Sequence, residues 1–510
     1  VQDKTKRYGK TVVQKVGLIS GPFIFLCLCI FEIFPEKPLA GNMAAVAVFM
    51  AIWWITEAVP ISVTALLPVV LYPLFGIMTG NAAAHLYMNS TIFLFMGGFM
   101  IALTMEKWGL HKRIAFTIIR IIGGGSSRII LGFMIAAAFL SMWISNTATA
   151  ILMVPIGLAV IFQMEERFGE EKSRKFTVGL MLGIAYACSV GGIATLVGTP
   201  PNLSFARIFT IIFPKAEPIG FGQWMVMALP ITLAMLALLW LLITKVFFRA
   251  GSDLIPDRSI IDREYHKLGK MIYEEKIVFT LFLVTAFLWI FRKKIVLGVL
   301  TIPGWSQFLP YSKMIDDGTV ALFISLILFL IPAKNGDSQT LTVMGPDVFK
   351  SIPWDIVLLF GGGFALAKGF QVTGLSEIIG SQFKGLSDTS PFIIVNILCF
   401  TLTFLTELTS NTATTEMILP ILASVAVAIK TNPLLLMIPA TISASCAFMM
   451  PVATPPNAII FGSGRVRIID MIKIGFVANI AGVIIITVIF YFFGKIVFFI
   501  DPAALPMWAK

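Results

Sequence analysis

Ser145-Asn146-Thr147-Ala148-Thr149 returns 265 residues later as Ser410-Asn411-Thr412-Ala413-Thr414. Each copy sits in the middle of a long apolar stretch, 128–164 and 391–428, too long for one membrane crossing and interrupted at its centre by these small polar residues. Two further pairs keep the offset of 265: Leu94-Phe95-Met96-Gly97-Gly98-Phe99 with Leu359-Phe360-Gly361-Gly362-Gly363-Phe364, and Gly109-Leu110 with Gly374-Leu375. A fourth pair, Gly198-Thr199-Pro200-Pro201-Asn202 and Ala453-Thr454-Pro455-Pro456-Asn457, sits at offset 255. The slip is assigned to a charged loop, Glu165–Lys175, that the second half lacks. One short match would be chance, but four in the same order mark an internal repeat.

Composition places that repeat in a bilayer. The 510 residues are 58% hydrophobic and 13% charged, with mean hydropathy +0.92 and 44 Phe against 8 Tyr. Soluble domains carry about twice that share of charge, so a soluble fold is excluded. The net charge of +11 does not indicate a nucleic-acid partner, because the basic residues form no stripe on a polar domain. They suit cytoplasmic loops instead. Eleven candidate crossings, from 16–35 to 474–499, put the N-terminus inside, the C-terminus outside and 26 of the 38 Lys and Arg on inner segments. Arg292-Lys293-Lys294 falls on the outside and runs against the bias. The basic start (Lys4, Lys6, Arg7, Lys10, Lys15) has no cleavage site and is read as uncleaved, its lack of an initial Met as a trimmed start. Five crossings per half, an odd number, make the halves inverted relative to each other, as is common in secondary transporters.

The interrupted stretches read as re-entrant hairpins with their polar tips at mid-membrane, where irregular backbone is tolerated only against protein or an aqueous cavity. Ser, Asn and Thr cap helix N-termini. The helices after the tips, expected to start near Ala148 and Ala413, aim two positive dipole ends inward and suit a ligand with two carboxylates. No Lys or Arg lies in either tip, so bound cations would supply the compensating charge. In Thr195–Thr199 and Val452–Thr454, the Pro pairs that follow break otherwise apolar helices. The freed carbonyls and Ser, Thr and Asn oxygens are hard ligands suited to Na⁺, one cation at each tip with its break. Taken singly, each motif fits ordinary interhelical glue; together they favour a transport site.

Other chemistry is weakly represented. The five cysteines (Cys27, Cys29, Cys188, Cys399, Cys446) lie in apolar runs without Cys-x-x-Cys spacing and read as packing residues. His85, His111 and His266 fall away from the motifs, no nucleophile–base pair appears, and an organic cofactor is not expected. Glu407 and Glu416 flank the second tip without acidic counterparts in the first half. Intramembrane acids often relay protons, but a structural or gating role is preferred for Glu407, and a helix-end contact for Glu57.

The paired Ser-Asn-Thr tips, the two Thr-Pro-Pro-Asn breaks and Trp54-Ile55-Thr56-Glu57-Ala58-Val59-Pro60 resemble the divalent anion/sodium symporter family. The resemblance covers nearly the whole chain. It implies an all-α polytopic fold of eleven transmembrane helices plus two hairpins, working as a homodimer by an elevator motion in the plasma membrane. The implied scaffold comprises 1–127 and 275–390, the transport domain 128–248 and 391–510, with a cytoplasmic linker at 249–274. Carried over by position, one sodium site would use Ser141, Ser145, Asn146 and Gly198. The other would use Thr406, Thr409, Asn411 and Ala453. Substrate carboxylates would meet Asn146, Thr147, Asn411 and Thr412, with Thr199, Thr454 and Pro455 close by. Thr409 departs from relatives that carry Ala there, which leaves its carbonyl able to serve.

The expected function is Na⁺-coupled symport of C4-dicarboxylates such as succinate, fumarate or malate. Some members of the family exchange dicarboxylates without sodium. There a basic side chain would be expected in the site, and 141–149, 195–202, 406–414 and 441–457 contain none. Citrate or sulfate remains an alternative substrate. An anion channel is disfavoured by the absence of a filter-like segment.

Overall fold

A computed structural model describes residues 10–248, 259–297, 300–335, 341–502 and 504–510. The basic residues Lys4, Lys6 and Arg7, and 249–258 of the expected linker, lie outside the described residues. Among the described residues, nine helices are long and apolar enough to cross a membrane, and shorter apolar helices lie between them. The strands described are a small hairpin, Ile295–Leu297 against Leu300–Ile302, in an otherwise helical fold.

Burial separates inner from outer helices. Glu170–Ile193 is buried throughout its apolar window, whereas Val12–Ile30 keeps most of its surface exposed to the surroundings. Small residues make the central position possible: Gly179, Gly183, Gly191 and Gly192 all lie on Glu170–Ile193, and its neighbours pack against its backbone. Leu110–Ile122 is a helix with its apolar residues on one face, the pattern of an interfacial helix. Arg113 on it grips Glu275 at 2.9 Å and the carbonyls of Leu268 and Gly269. Glu57 caps Pro38–Thr56 in a left-handed conformation (φ 47°), the helix-end role expected of it.

Two sequence expectations are revised. The charged stretch Glu165–Lys175 is not a loop. Asn146–Phe168 and Glu170–Ile193 continue through it as helices with Gly169 alone between them, so the extra residues of the first half lengthen helices. The helices after the tips start at Asn146 and Asn411, two residues before the expected positions. The Ser145 and Ser410 hydroxyls accept the N–H of Ala148 and Ala413, which makes the serines the caps.

Each hairpin is an apolar helix, a short polar tip and a second helix: Ser126–Ser141 with Asn146–Phe168, and Pro391–Leu405 with Asn411–Ala428. Each break lies between an incoming helix, Glu170–Ile193 or Pro433–Ser443, and a half-helix opened by its Pro pair, Pro200–Ile212 or Pro455–Gly462. Proline suits the first helical turn, where its missing N–H would have had no intrahelical partner. The packing is crossed. Asn146–Phe168 lies against Pro455–Gly462, and Asn411–Ala428 against Pro200–Ile212. The Tyr186 hydroxyl on the central helix donates to Phe448 O in the second break at 2.7 Å.

Trp354–Thr373 carries the second glycine run. A Cβ on Gly361 would strike Tyr87, one on Gly362 the backbone of Ala65, and one on Gly363 the carboxyl of Glu416. Without side chains there, this helix presses on the N-terminal helices with one face and on the second hairpin with another.

Candidate functional site

The two tips are held by the same bonds. Ser141 Oγ donates within reach of both Asn146 Oδ1 (2.5 Å) and Cys188 O (2.7 Å). Thr406 Oγ1 lies likewise 2.5 Å from Asn411 Oδ1 and 2.9 Å from Ala444 O. A single hydroxyl hydrogen serves one acceptor at a time, so each tip concentrates oxygen lone pairs in excess of donors. The breaks repeat the pattern. Asn202 Nδ2 donates to Gly192 O, Ile193 O and Thr195 O, and Asn457 Nδ2 to Ala447 O and Met450 O. These amides hold the broken backbone while other oxygens stay available.

Glycine lets the first tip meet its break. A Cβ on Gly192 would lie 2.7 Å from Asn146 Oδ1 and 3.0 Å from Gly198 O. Both oxygens therefore face the same small space. The structure brings Ser141, Asn146 and Gly198 together, while the Ser145 hydroxyl is occupied as the helix cap. In the second half Thr406 and Asn411 are joined directly. Thr409 turns its hydroxyl to Leu405 O and Thr414 Oγ1, leaving its carbonyl for any other role. Ala453 is buried, its N–H bonded to Met450 O. Among the remaining candidates, Thr147 is half-buried, Thr412, Thr199 and Thr454 are buried, and Pro455 is exposed. Thr454 Oγ1 also accepts the N–H of Asn457.

The sequence reading did not single out two buried serines. Ser189 Oγ and Ser445 Oγ, one residue beyond Cys188 and Ala444, are buried without partners, as are Asn202 Oδ1 and Asn457 Oδ1. An unpartnered buried oxygen is costly, and here the orphans fall at matching places in both halves. His111 was expected away from the motifs, but it lines a small cavity with Ala148, Thr149 and Glu106. Burial lowers its imidazole to about 4, against the opposing pull of a bond to Met105 O at 3.2 Å, so it is neutral at pH 7.

Glu407 is a structural cap. One of its oxygens accepts Phe448 N–H, Met449 N–H and Asn479 Nδ2–H at 2.7–2.9 Å, and the other accepts Met450 N–H at 2.9 Å. The carboxylate folds the second break in place of the missing helix. Glu416 is different. It is fully buried, takes a bond from the Ser204 hydroxyl, and leaves Oε2 unpartnered against Gly363. Replacing Glu407 by alanine strands four donors. Unsatisfied buried groups cost about 1–3 kcal/mol each. The Glu407→Ala protein is therefore expected to unfold well below the wild type in a thermal assay, and Glu407→Gln, which keeps an acceptor, at an intermediate temperature. Equal melting of Ala and wild type would remove the cap role.

Paired mid-chain breaks, hairpins packed on the half-helices of the other half and oxygen-lined tips in an apolar helical fold are the architecture of a membrane transport protein. The chain matches the family model described as the sodium:sulfate symporter transmembrane region over residues 23–500, and it belongs to that family. It is 42% identical over 496 residues to the sodium-dependent dicarboxylate transporter SdcS of Staphylococcus saprophyticus, covering 96% of this chain and 93% of that one. It is 44% identical over 494 residues to SdcS of Staphylococcus aureus strain MRSA252, covering 96% and 92%. Among solved structures, the Alcanivorax borkumensis YdaH transporter shares the fold at TM-score 0.57 and 12% identity, covering 94% of this chain and 99% of that one. Neisseria gonorrhoeae MtrF follows at TM-score 0.55 and 12% identity, covering 83% and 84%.

Proposed function

We propose that the chain imports C4-dicarboxylates such as succinate, fumarate or malate by symport with Na⁺ across the plasma membrane. The observation that carries this reading is the pair of tip-and-break oxygen clusters, around Asn146 and around Asn411, built with the same bonds and without Lys or Arg. Hard oxygen donors suit Na⁺, and two bound cations supply the positive charge that a dicarboxylate needs in so apolar a place. The names of the SdcS relatives support both the ion and the substrate class.

In this mechanism sodium binds first at each cluster: Ser141, Ser145, Asn146 and Gly198 in one, Thr406, Thr409, Asn411 and Ala453 in the other. That orders the tips, and the dianion then docks between Asn146-Thr147 and Asn411-Thr412, beside Thr199, Thr454 and Pro455. The loaded part, 128–248 with 391–510, moves as an elevator against a scaffold of 1–127 and 275–390. The scaffold pairs with its copy in a homodimer of eleven-crossing, inverted-repeat protomers, each with its N-terminus in the cytoplasm. Two Na⁺ only neutralise a dianion. Uptake driven by voltage, worth about 2.3 kcal/mol per charge per 100 mV, needs a third.

Radiolabelled succinate uptake into proteoliposomes tests the coupling. Accumulation is expected with an inward Na⁺ gradient, with only passive leak when choline replaces Na⁺. Equal uptake in choline, dependent on internal succinate, would replace symport by exchange.

A further inference from the structure

The triplet Arg292-Lys293-Lys294 had no role in the sequence reading and none in the site. In the structure it lines a cavity of about 320 Å³, at the lower end of the range for ligand pockets, about 300–1,000 Å³. The cavity lies where Pro200–Ile212 and Tyr273–Ile290 end and where Phe221–Leu241 and Pro433–Ser443 begin. Its walls are aromatic: Phe209, Phe221, Trp289, Phe498 and Trp508.

The charges there are unevenly spent. Arg292 is neutralised by Asp317 through two bonds, at 2.5 and 3.0 Å. Lys293 gives one of its three N–H donors to Pro218 O at 2.8 Å. Lys294 is exposed and has no partner among the described residues. One acid, Glu217, shares the lining, so the cavity keeps a net positive charge. Burial, and after it the neighbouring Arg292, push Lys293 below the ordinary lysine range, and Glu217 and Asp317 only oppose this. An anion beside it would relieve that penalty.

The cavity opens beside an apolar surface. Phe492, Ile496 and Phe499 near the end of the last long helix are all more than half exposed, and Phe499 reaches the cavity lining. A charged mouth joined to exposed apolar side chains fits a molecule with an anionic head and a hydrocarbon tail, better than it fits a small hydrophilic anion. We propose that this cavity is a binding site for an anionic phospholipid, its phosphate held by Lys293 and Lys294 and its acyl chains laid along Phe499, Ile496 and Phe492.

The test is lipid retention. Protein purified in detergent micelles containing phosphatidylcholine and phosphatidylglycerol is measured by native mass spectrometry. The wild type is expected to retain phosphatidylglycerol and to melt at a higher temperature with it than in phosphatidylcholine alone. Lys294→Gln, at the exposed rim, and Lys293→Gln/Lys294→Gln are expected to cut retention, the double variant by about tenfold or more, while still folding in phosphatidylcholine. Retention in the double variant equal to wild type would overturn the proposal. A parallel arm supplies inorganic phosphate in pure phosphatidylcholine. If phosphate alone reproduces the thermal shift, and does so through the two lysines, the site takes a free anion and the lipid assignment fails. No shift with phosphate supports the lipid.

Discussion

Asn411→Ala is expected to cut Na⁺-driven succinate uptake steeply at low sodium while leaving the protein folded, and Asn146→Ala to do the same from the other half. The two effects separate because, in the proposed mechanism, the amide oxygens have two duties. As acceptors from Ser141 and Thr406 they are replaceable: each hydroxyl also reaches a backbone carbonyl, at 2.7 Å from Cys188 O and 2.9 Å from Ala444 O. Losing one neutral bond costs about 0.5–1.5 kcal/mol, a small shift in melting temperature. As ligands to a cation the oxygens have no substitute. A bond to a charged partner is worth about 1.5–3 kcal/mol, so sodium half-saturation is expected to rise about tenfold to a hundredfold. Uptake measured against sodium concentration, beside a thermal melt of the same preparation, shows both. Wild-type transport and sodium dependence in either variant would defeat the site assignment.

Gly192→Ala is the second large effect. The added methyl would sit 2.7 Å from Asn146 Oδ1 and 3.0 Å from Gly198 O, inside the space the two oxygens share. Forcing a methyl into a packed interior costs about 1–3 kcal/mol, and here the parts able to give way are the proposed ligands. Sodium half-saturation is expected to rise about tenfold or more. The counterpart at offset 255 is Ala447, fully buried yet already bearing a Cβ. Ala447→Gly adds no atom and is expected to leave sodium dependence near wild type. If Gly192→Ala transports with wild-type sodium dependence, the space shared by Asn146 Oδ1 and Gly198 O does not hold a cation.

The hairpins and breaks were legible because small polar residues and Pro pairs stand out in apolar surroundings, and because each motif came twice. Asn146 and Asn411 were found that way. Ser189, Ser445 and Gly192 were not, since serine and glycine are ordinary packing residues in membrane helices and only their neighbours mark them. Nor could the sequence show that each hairpin packs against the half-helix of the other half, which is a matter of tertiary contact. Glu407 stood out as an acid beside a tip, but its partners are backbone N–H groups at Phe448, Met449 and Met450, which no side-chain pattern announces. The helical course of Glu165–Lys175 was hidden by its charges, which suit a solvated helix end as well as a loop.

The fit between Gly363 and Glu416 has a mechanical consequence. A residue with no side chain leaves a notch in Trp354–Thr373, and the buried carboxyl of the second hairpin fills it. In the motion proposed above, one of these helices stays and the other travels. The pair then acts as a detent: the moving part rests where the carboxyl drops into the notch, and each stroke begins by lifting it out. The depth of that notch would set how long the carrier dwells in this position before it turns over.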